Sequence, residues 1–386
     1  MKMQKRMLAL ALAMILALSA CGGKQTEKKE STPDEKQVEK QETAEEEKAR
    51  QEKERLEAEK KEEERKQEEE RKRLEEERKK PKSPLSGLSM KEDLTNRRSV
   101  GIMISNISYA LPQSGIESAD VIYETLAEGG VSRLFALFHE FDNQKIGPIR
   151  SSRHYFLDFA LDHDAIYMHA GQSPQAQVAI QKLNMPAINA ISYLSLIAFY
   201  LDESRKRPHN TYTSYERVME GWKRKEYRME PNPETGKKLN FSQDEEVLLE
   251  KGKAVKQIKL PFSYIDTPYF IYDEEKKEYM RYQFEKPHLD IETGNQLHFT
   301  NVIVQVVDMW HIQGDDAGRL DMKLIGDGKG YYLTRGKMIP ITWKKESHYK
   351  TTHYYDENGQ EILLNPGKTW ISVYPSKRAD MIEFSE

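Results

Sequence analysis

A long run of charged residues, from Lys24 to Lys82, sets the strongest limit on how this 386-residue chain can fold. Most of the run is Glu, Lys, Arg or Gln, and its only large apolar side chains are Val38, Leu56 and Leu74. A segment with so little apolar surface cannot form a buried core. Opposite charges three and four residues apart stabilise a helix by about 0.2–0.5 kcal/mol per pair. The run therefore predicts a single solvated helix, or a segment that alternates between helix and coil.

We expect this charged run to act as a spacer over residues 21–84. Pro81 and Pro84 would end it, because proline breaks a helix. A helix from residue 35 to residue 80 would reach roughly 70 Å at about 1.5 Å per residue. The sustained apolar seam of a coiled coil is missing from the sequence, although heptad scoring would still flag one. The other interpretation is a tail that binds charged polymers, and the mixture of charge signs argues against it.

The N-terminus has the pattern of a signal peptide over residues 1–20. Basic residues precede an apolar run from Met7 to Ala20, which is too short to span a bilayer comfortably. Small residues then lead to Cys21, the only cysteine of the chain. This arrangement resembles the lipobox of bacterial lipoproteins, which implies cleavage before Cys21 and acylation with fatty acids such as palmitate. An ordinary signal peptide with a chance cysteine is the alternative. We expect a lipid-anchored protein on the extracytoplasmic face of the cell membrane.

The remaining chain, from Leu85 to Glu386, reads as globular and is long enough for two domains. A polar, proline-containing stretch from Glu230 to Asp244 separates them, which gives domains at 85–235 and 245–386. The sequence predicts a mixed α/β, or α+β, N-terminal domain followed by a mostly β C-terminal domain. The net charge of −4 gives no support for nucleic-acid binding.

A predicted β-hairpin in the first domain brings three charged residues together. Two strand-like runs flank Gly129 and Gly130, which indicates a two-residue loop. Side chains alternate along strands, so this register places Glu124, Glu128 and Arg133 on one face. The cluster is either a set of salt bridges that steadies the sheet or part of a functional site.

Arg150 and Arg153 precede a predicted helix from His154 to Leu161, with a serine as its N-cap. Two arginines at a helix start oppose the helix dipole, so a negative group should lie nearby. Glu124 or Glu128 could supply that charge. An anionic ligand held by the guanidinium groups is the other hypothesis.

Two further segments carry candidate ligand-binding residues. His169 and Gly171 end a predicted strand, the position at which ligands gather in open α/β sheets, although a lone histidine is more often structural. Arg207, His209 and Asn210 form a basic loop that could bind phosphate or carboxylate. The alternative is a surface loop whose polar side chains bond to the backbone.

The second domain has short alternating strands at a spacing that suggests a small barrel or sandwich. Its aromatic residues are more often core than a platform for ligands. They include Trp310, Trp343, Trp370, Tyr331 and Tyr332.

Several stretches resemble the YerB-type family of bacterial lipoproteins. They are Ile102–Asn106, Leu111–Gly115, Ala119–Glu124, Gly147–Arg153, His169–Gly171 and Pro208–Asn210. The resemblance covers most of Leu85 to Glu386 and implies two domains of unknown function. It supplies no catalytic residue.

Motifs of known chemistry are missing from the sequence. There is no cysteine cluster for zinc, no His-Glu-x-x-His, no Gly-x-Ser-x-Gly and no glycine-rich phosphate loop. We therefore expect no metal and no cofactor. Two hypotheses remain: a lipoprotein that binds an anionic cell-envelope component or a partner protein, and an envelope-polymer hydrolase or transferase. In the second, Glu124 or Glu128 would be the acid or base and a histidine its partner.

Overall fold

The computed structural model describes residues 33–235, 239–243 and 245–386, with the backbone alone for 33–46. The predicted signal peptide and Cys21 lie outside the described residues. The chain divides into two compact units between Leu74 and Glu75. Within the described ranges, no helix combines the length and apolar character that crossing a membrane requires.

The charged run forms one long helix, α1, at Pro33–Lys79. Ion pairs three and four residues apart lie along it, such as Arg65 with Glu62 and Arg71 with Glu68, both at 2.9 Å. All of these side chains are largely exposed, so water and salt screen each pair and it adds little stability. The helical interpretation of the run is confirmed.

The second unit contains the remaining helices and all strands of the described chain. The α-helices are α2 (Phe156–Asp162), α3 (Pro174–Lys182) and α4 (Tyr215–Arg224). Short 3-10 helices lie at Ser108–Ala110, Glu128–Gly130 and Ser376–Met381. The strands are β1 (Val100–Ser105), β2 (Val121–Leu126), β3 (Ser132–Phe138), β4 (Ile166–His169), β5 (Ala187–Asn189), β6 (Tyr200–Leu201), β7 (Thr211–Tyr212), β8 (Lys253–Ala254), β9 (Gln257–Lys259), β10 (Tyr269–Asp273), β11 (Glu278–Gln283), β12 (Lys286–Pro287), β13 (His298–Phe299), β14 (Asn301–Val307), β15 (Met309–His311), β16 (Leu320–Met322), β17 (Gly326–Thr334), β18 (Lys337–Lys345), β19 (His353–Tyr355), β20 (Thr369–Pro375) and β21 (Glu383–Ser385).

One long sheet of eleven strands contains strands from both halves of the second unit. Its order is β19-β18-β17-β14-β20-β2-β3-β1-β4-β5, and β8 also pairs with β18. Strand β20 lies between β14 and β2 and is parallel to both. The domain division between residues 235 and 245 stays a prediction, although the strands on its two sides are hydrogen-bonded to one another.

A short sheet of six strands, β12-β11-β10-β9-β21 with β13 beside β11, holds other C-terminal strands. The C-terminal strands therefore divide between two sheets, and side chains of both sheets, such as Phe270 and Trp370, belong to one hydrophobic core. The small barrel or sandwich stays a prediction. The N-terminal region is mixed α/β and the C-terminal region is largely β, so the predicted fold class is confirmed. Trp343, Trp370 and Tyr332 are buried in the core, as expected, whereas Trp310 is exposed.

Apolar side chains cover both faces of the long sheet at β1 and β3. Ile102 and Leu134 belong to the core on one face, and Met103 and Phe135 belong to the core on the other. Strand β1 is buried at all six positions, as expected for a central strand.

Capping serines begin two of the three short helices. Ser173 Oγ accepts a hydrogen bond from the Ala176 amide at 3.1 Å, and Pro174 occupies the first helical position. In α4 the cap is Ser214, although Thr213 and Glu216 have the spacing of a capping box. Helix α2 begins later than predicted, and its N-cap, Tyr155, makes no side-chain capping bond.

Candidate functional site

The β2–β3 hairpin differs from its predicted register by one residue. Thr125 lies opposite Arg133, and Leu126 lies opposite Ser132. Gly129 and Gly130 both adopt positive φ within a 3-10 turn, which makes the connection five residues long instead of two. A shift of one residue moves a side chain to the other face of a sheet. The predicted shared face of Glu124 and Arg133 is therefore wrong.

Glu124 lies in a buried ion pair that joins the long sheet to the short one. Arg281 Nη2 donates to both carboxylate oxygens of Glu124, at 2.8 and 2.9 Å, and neither side chain is exposed. Ser132 Oγ and Trp370 Nε1 also donate to this carboxylate, at 2.8 and 3.2 Å. The guanidinium group lies over the rings of Trp370 and Phe270.

Burial raises the pKa of Glu124 to about 7, against the opposing effect of Arg281. A general acid or base must come within hydrogen-bond reach of a substrate. Glu124 is sealed from solvent, and its contacts are those of a buried structural pair.

Glu128 and the two arginines Arg133 and Arg153 form a second cluster, beyond the end of β2. The Glu128 carboxylate accepts from both Nε and Nη2 of Arg153, the latter at 2.7 Å, and Arg133 Nη2 lies 3.9 Å from it. Arg133 Nη1 also donates to the Ser151 carbonyl at 2.6 Å. Burial lowers the pKa of Arg133 to about 10, and the positive charge of Arg153 acts in the same direction.

Arg150 extends this positive cluster without a carboxylate of its own. Its Nη1 donates to the Pro208 carbonyl at 3.2 Å. No ion pair within 4.0 Å involves Arg150 in the part of the chain that the structure describes. Burial lowers the pKa of Arg150, and Arg153 lowers it further. Three guanidinium groups, of Arg133, Arg150 and Arg153, therefore share the single negative charge of Glu128, which leaves a net charge of +2.

A cavity of about 470 Å³ opens beside Arg150, and we call it the arginine cavity. Its size falls within the about 300–1,000 Å³ that is common for ligand sites. Its charged and polar lining comes from Arg150, Ser151, Ser195, Arg207, Asn210 and Thr211, and the rest comes from Ile149, Ala170, Ala190, Ile191, Leu196, Phe199, Tyr200, Leu201 and Pro208.

The basic loop predicted from sequence contributes two residues to this cavity. Arg207 is exposed and Asn210 is largely buried, and both line it. His209 lies between them in sequence, with Nδ1 at 3.4 Å from Ser105 Oγ. Burial lowers the pKa of His209, and the charges of Arg150 and Arg205 lower it further. Both effects favour the neutral form of this histidine.

His169 and Gly171 are not among the residues that line the cavity. His169 is buried, with Nδ1 at 2.8 Å from the Gly171 carbonyl, and burial lowers its pKa to about 4. Gly171 has a φ of +76°, and a Cβ at this position would lie 3.0 Å from the Ile191 side chain. For His169 these contacts are those of a buried structural histidine.

The ten candidate residues thus separate into distinct groups. Arg150, Arg207 and Asn210 line one cavity, Glu128, Arg133 and Arg153 form an ion-paired cluster near it, and Glu124 is buried with Arg281. The described residues contain no group of three His, Cys, Asp or Glu side chains that could hold a metal ion.

Sequence reasoning missed the apolar side of the cavity. The segment from Ile191 to Leu201 is rich in large apolar residues, and that run was the available signal. It also missed Arg281 as the partner of Glu124, because the two are 157 residues apart and no local pattern connects them.

Comparisons with known proteins show the family. Residues 85–228 match the family described as "Protein of unknown function (DUF3048) N-terminal domain", and residues 258–371 match its C-terminal domain. The chain is 30% identical over 310 residues to "Putative lipoprotein YerB" of Bacillus subtilis (strain 168), covering 80% of this chain and 90% of that protein.

A solved structure agrees with this relationship. The crystal structure of YerB protein from Bacillus subtilis is similar with a TM-score of 0.69 and 28% identity, over 80% of this chain and 100% of that chain. The chain belongs to the YerB-type family, with its two domains of unknown function.

Proposed function

We propose that this protein is a lipoprotein, anchored through Cys21 on the extracytoplasmic face of the cell membrane, that binds an anionic component of the cell envelope in the arginine cavity. The relative's name, which includes the word lipoprotein, and the lipobox-like sequence before Cys21 support the anchor. The charged helix α1 would connect the anchor to the folded unit.

The observation that carries the binding proposal is the uncompensated charge of Arg150. Its guanidinium group is partly buried, which is costly without a negative partner. Arg207 lines the same cavity, so two guanidinium groups are available to one ligand. Guanidinium groups bind phosphate and carboxylate with paired hydrogen bonds. An anion in the cavity would compensate the charge that Glu128 leaves unmatched.

The geometry gives less support to a hydrolase or transferase. That hypothesis needs a Glu, a His and two arginines around one cleft. Glu124 is buried with Arg281, Glu128 is paired with Arg153, and His169 is buried. His209 Nδ1 lies 3.4 Å from Ser105 Oγ, and His209 is not among the residues that line the cavity. Of these groups, only arginines are placed to touch a ligand, which suits binding without proton transfer.

A cosedimentation experiment tests the binding proposal. The full chain in mild detergent is mixed with purified envelope fragments that contain both wall and membrane, and the bound fraction is measured with and without added pyrophosphate. A charge-assisted hydrogen bond contributes about 1.5–3 kcal/mol, so Arg150→Ala with Arg207→Ala should weaken retention by about tenfold or more.

Lys206→Ala is the matched control, because Lys206 is a basic residue of the same loop that does not line the cavity. We expect pyrophosphate to displace the parent chain and the control alike. Equal retention of the parent chain, the control and the double variant would remove the cavity from the proposal. Retention that pyrophosphate leaves unchanged and protease treatment of the envelope abolishes would point to a partner protein instead.

A further inference from the structure

The arginine cavity has an apolar side that binding of an anion alone does not use. Ile149 and Phe199, each only 1% exposed, line its interior. Ile191, Leu196 and Leu201 also line the cavity, but they are exposed, at 75%, 84% and 51%. The polar end with Arg150 and the apolar lining therefore belong to one continuous space.

Exposed aliphatic side chains at a cavity mouth are the second observation. Burying apolar surface gains about 25 cal/mol per Å², so a group of large exposed aliphatic residues is unfavourable for the free protein. Grouped apolar residues rimmed by polar ones mark binding sites. The segment from Ile191 to Phe199 is built of turns and bends, without regular helix or strand. Ile191 and Leu196 lie in this segment, and both line the cavity.

The chemistry of the lining narrows the ligand class. The apolar lining is mostly aliphatic, with Phe199 buried and Tyr200 partly exposed. Aliphatic walls suit a hydrocarbon chain, because they gain energy mainly by removing apolar surface from water. A site for sugar units alone would need many more polar partners than this end of the cavity offers.

We infer that the cavity takes an amphiphilic anion, with a phosphate or carboxylate head at Arg150 and Arg207 and a hydrocarbon chain against Leu196 and Ile191. This inference rests on the proposed anion site and adds the nature of the rest of the ligand. The same head chemistry occurs in a phosphorylated lipid and in free phosphate. The two sources differ only in the hydrocarbon chain, so affinities for probes with and without that hydrocarbon distinguish them.

The test compares three probes on the full chain reconstituted in uncharged phosphatidylcholine nanodiscs. The probes are geranyl phosphate, which has both head and chain, inorganic phosphate, which has only the head, and geraniol, which has only the chain. Affinities are measured by calorimetric titration, with empty nanodiscs subtracted to remove partitioning into the lipid. We expect geranyl phosphate to bind at least about tenfold more tightly than either of the other two probes.

Variants separate the two halves of the site. Leu196→Ser should weaken geranyl phosphate binding about fivefold and leave phosphate binding unchanged, since its side chain meets only the hydrocarbon. Because Leu196 is so exposed, this change should not affect folding. Arg150→Ala should weaken the binding of both geranyl phosphate and phosphate. Val178→Ser is the control, because Val178 is a 64% exposed aliphatic residue that does not line the cavity.

Each outcome decides something different. Tighter binding of geranyl phosphate that falls with Leu196→Ser and Arg150→Ala supports the inference. Equal affinity for geranyl phosphate and phosphate overturns the hydrocarbon part and leaves the anion site intact. Geranyl phosphate binding that neither variant changes places the ligand elsewhere and overturns the inference. If the parent chain binds neither geranyl phosphate nor phosphate, and circular dichroism shows that it is folded, the inference and the proposed anion site are both overturned.

Discussion

The buried pair of Glu124 and Arg281 predicts a large and pH-dependent loss of stability when Arg281 is replaced by methionine. Both side chains are fully buried, and Arg281 Nη2 donates to both oxygens of Glu124. Removing one partner of such a pair costs about 3–5 kcal/mol, because the other charge stays buried. Methionine keeps the aliphatic part of the side chain but is shorter by the guanidinium group, so the space left behind adds to this cost. An expected loss near 4 kcal/mol changes the unfolding equilibrium roughly a thousandfold.

The pH dependence follows from the direction of the shift in the pKa of Glu124. Burial already raises this pKa, and Arg281 opposes the rise. Without Arg281 the pKa rises further above its ordinary value. A carboxyl whose folded pKa is raised stabilises the fold at acid pH and loses that contribution as the pH rises through the folded pKa. The deficit of Arg281→Met should therefore be smaller at pH 5 than at pH 9.

Urea unfolding, followed by circular dichroism and Trp fluorescence, measures the stability deficit of Arg281→Met at pH 5 and at pH 9. Adding Glu124→Gln to Arg281→Met removes the stranded charge, and the double variant should recover about 2 kcal/mol or more of the loss at pH 9. A loss in the free energy of unfolding of less than about 1 kcal/mol for Arg281→Met at pH 9, or an equal loss at pH 5 and pH 9, would contradict a buried charged pair of Glu124 and Arg281.

Three other features give predictions of known sign. A bound phosphate should raise the pKa of His209, because its negative charge offsets the charges of Arg150 and Arg205 that lower this pKa. An NMR titration curve of His209 that saturating phosphate leaves unchanged would contradict this prediction. Ser173→Ala should lower the free energy of unfolding by about 1 kcal/mol, because Ser173 Oγ caps α3, and urea titration would show it. Lys345→Met should lower the free energy of unfolding by about 3–5 kcal/mol, because Lys345 Nζ lies 2.5 Å from Asp162 Oδ1 and both side chains are only 1% exposed. A change in melting temperature no larger than that of an exposed Lys→Met variant would contradict this prediction.

Local patterns in the sequence predict several elements to the residue. The β-branched run Asn301–Val307 is a strand with those bounds, as is Val100–Ser105. Ser173 and Pro174 mark the start of α3 correctly. These elements are specified by alternation, capping and turn chemistry over a few neighbouring residues.

The pairing of strands that lie far apart in the sequence cannot be predicted from such local patterns. Strand β20 inserts beside β2, about 250 residues earlier in the chain, and this contact joins the two halves of the folded unit. The hairpin register depended on the conformation of Gly129 and Gly130, which two turn types could satisfy. An error of one residue there was enough to put Arg133 on the wrong face.

The candidate site was predicted in parts. Arg150, Arg207 and Asn210 were identified from their positions near element ends, and the structure brings them to one cavity. The partners of Glu124 and Arg153 were not predictable as a set, since choosing between internal pairing and a ligand requires the fold. The apolar run from Ile191 to Leu201 could have been noticed, but sequence alone did not say that it faces the arginines.

Calorimetric titration of the full chain with inorganic phosphate at low salt shows whether the arginine cavity binds an anion. We expect one site, with an affinity that falls by about tenfold or more in Arg150→Ala with Arg207→Ala and stays unchanged in Lys206→Ala. If the double variant, still folded, binds phosphate as tightly as the parent chain, the arginine cavity is not an anion site.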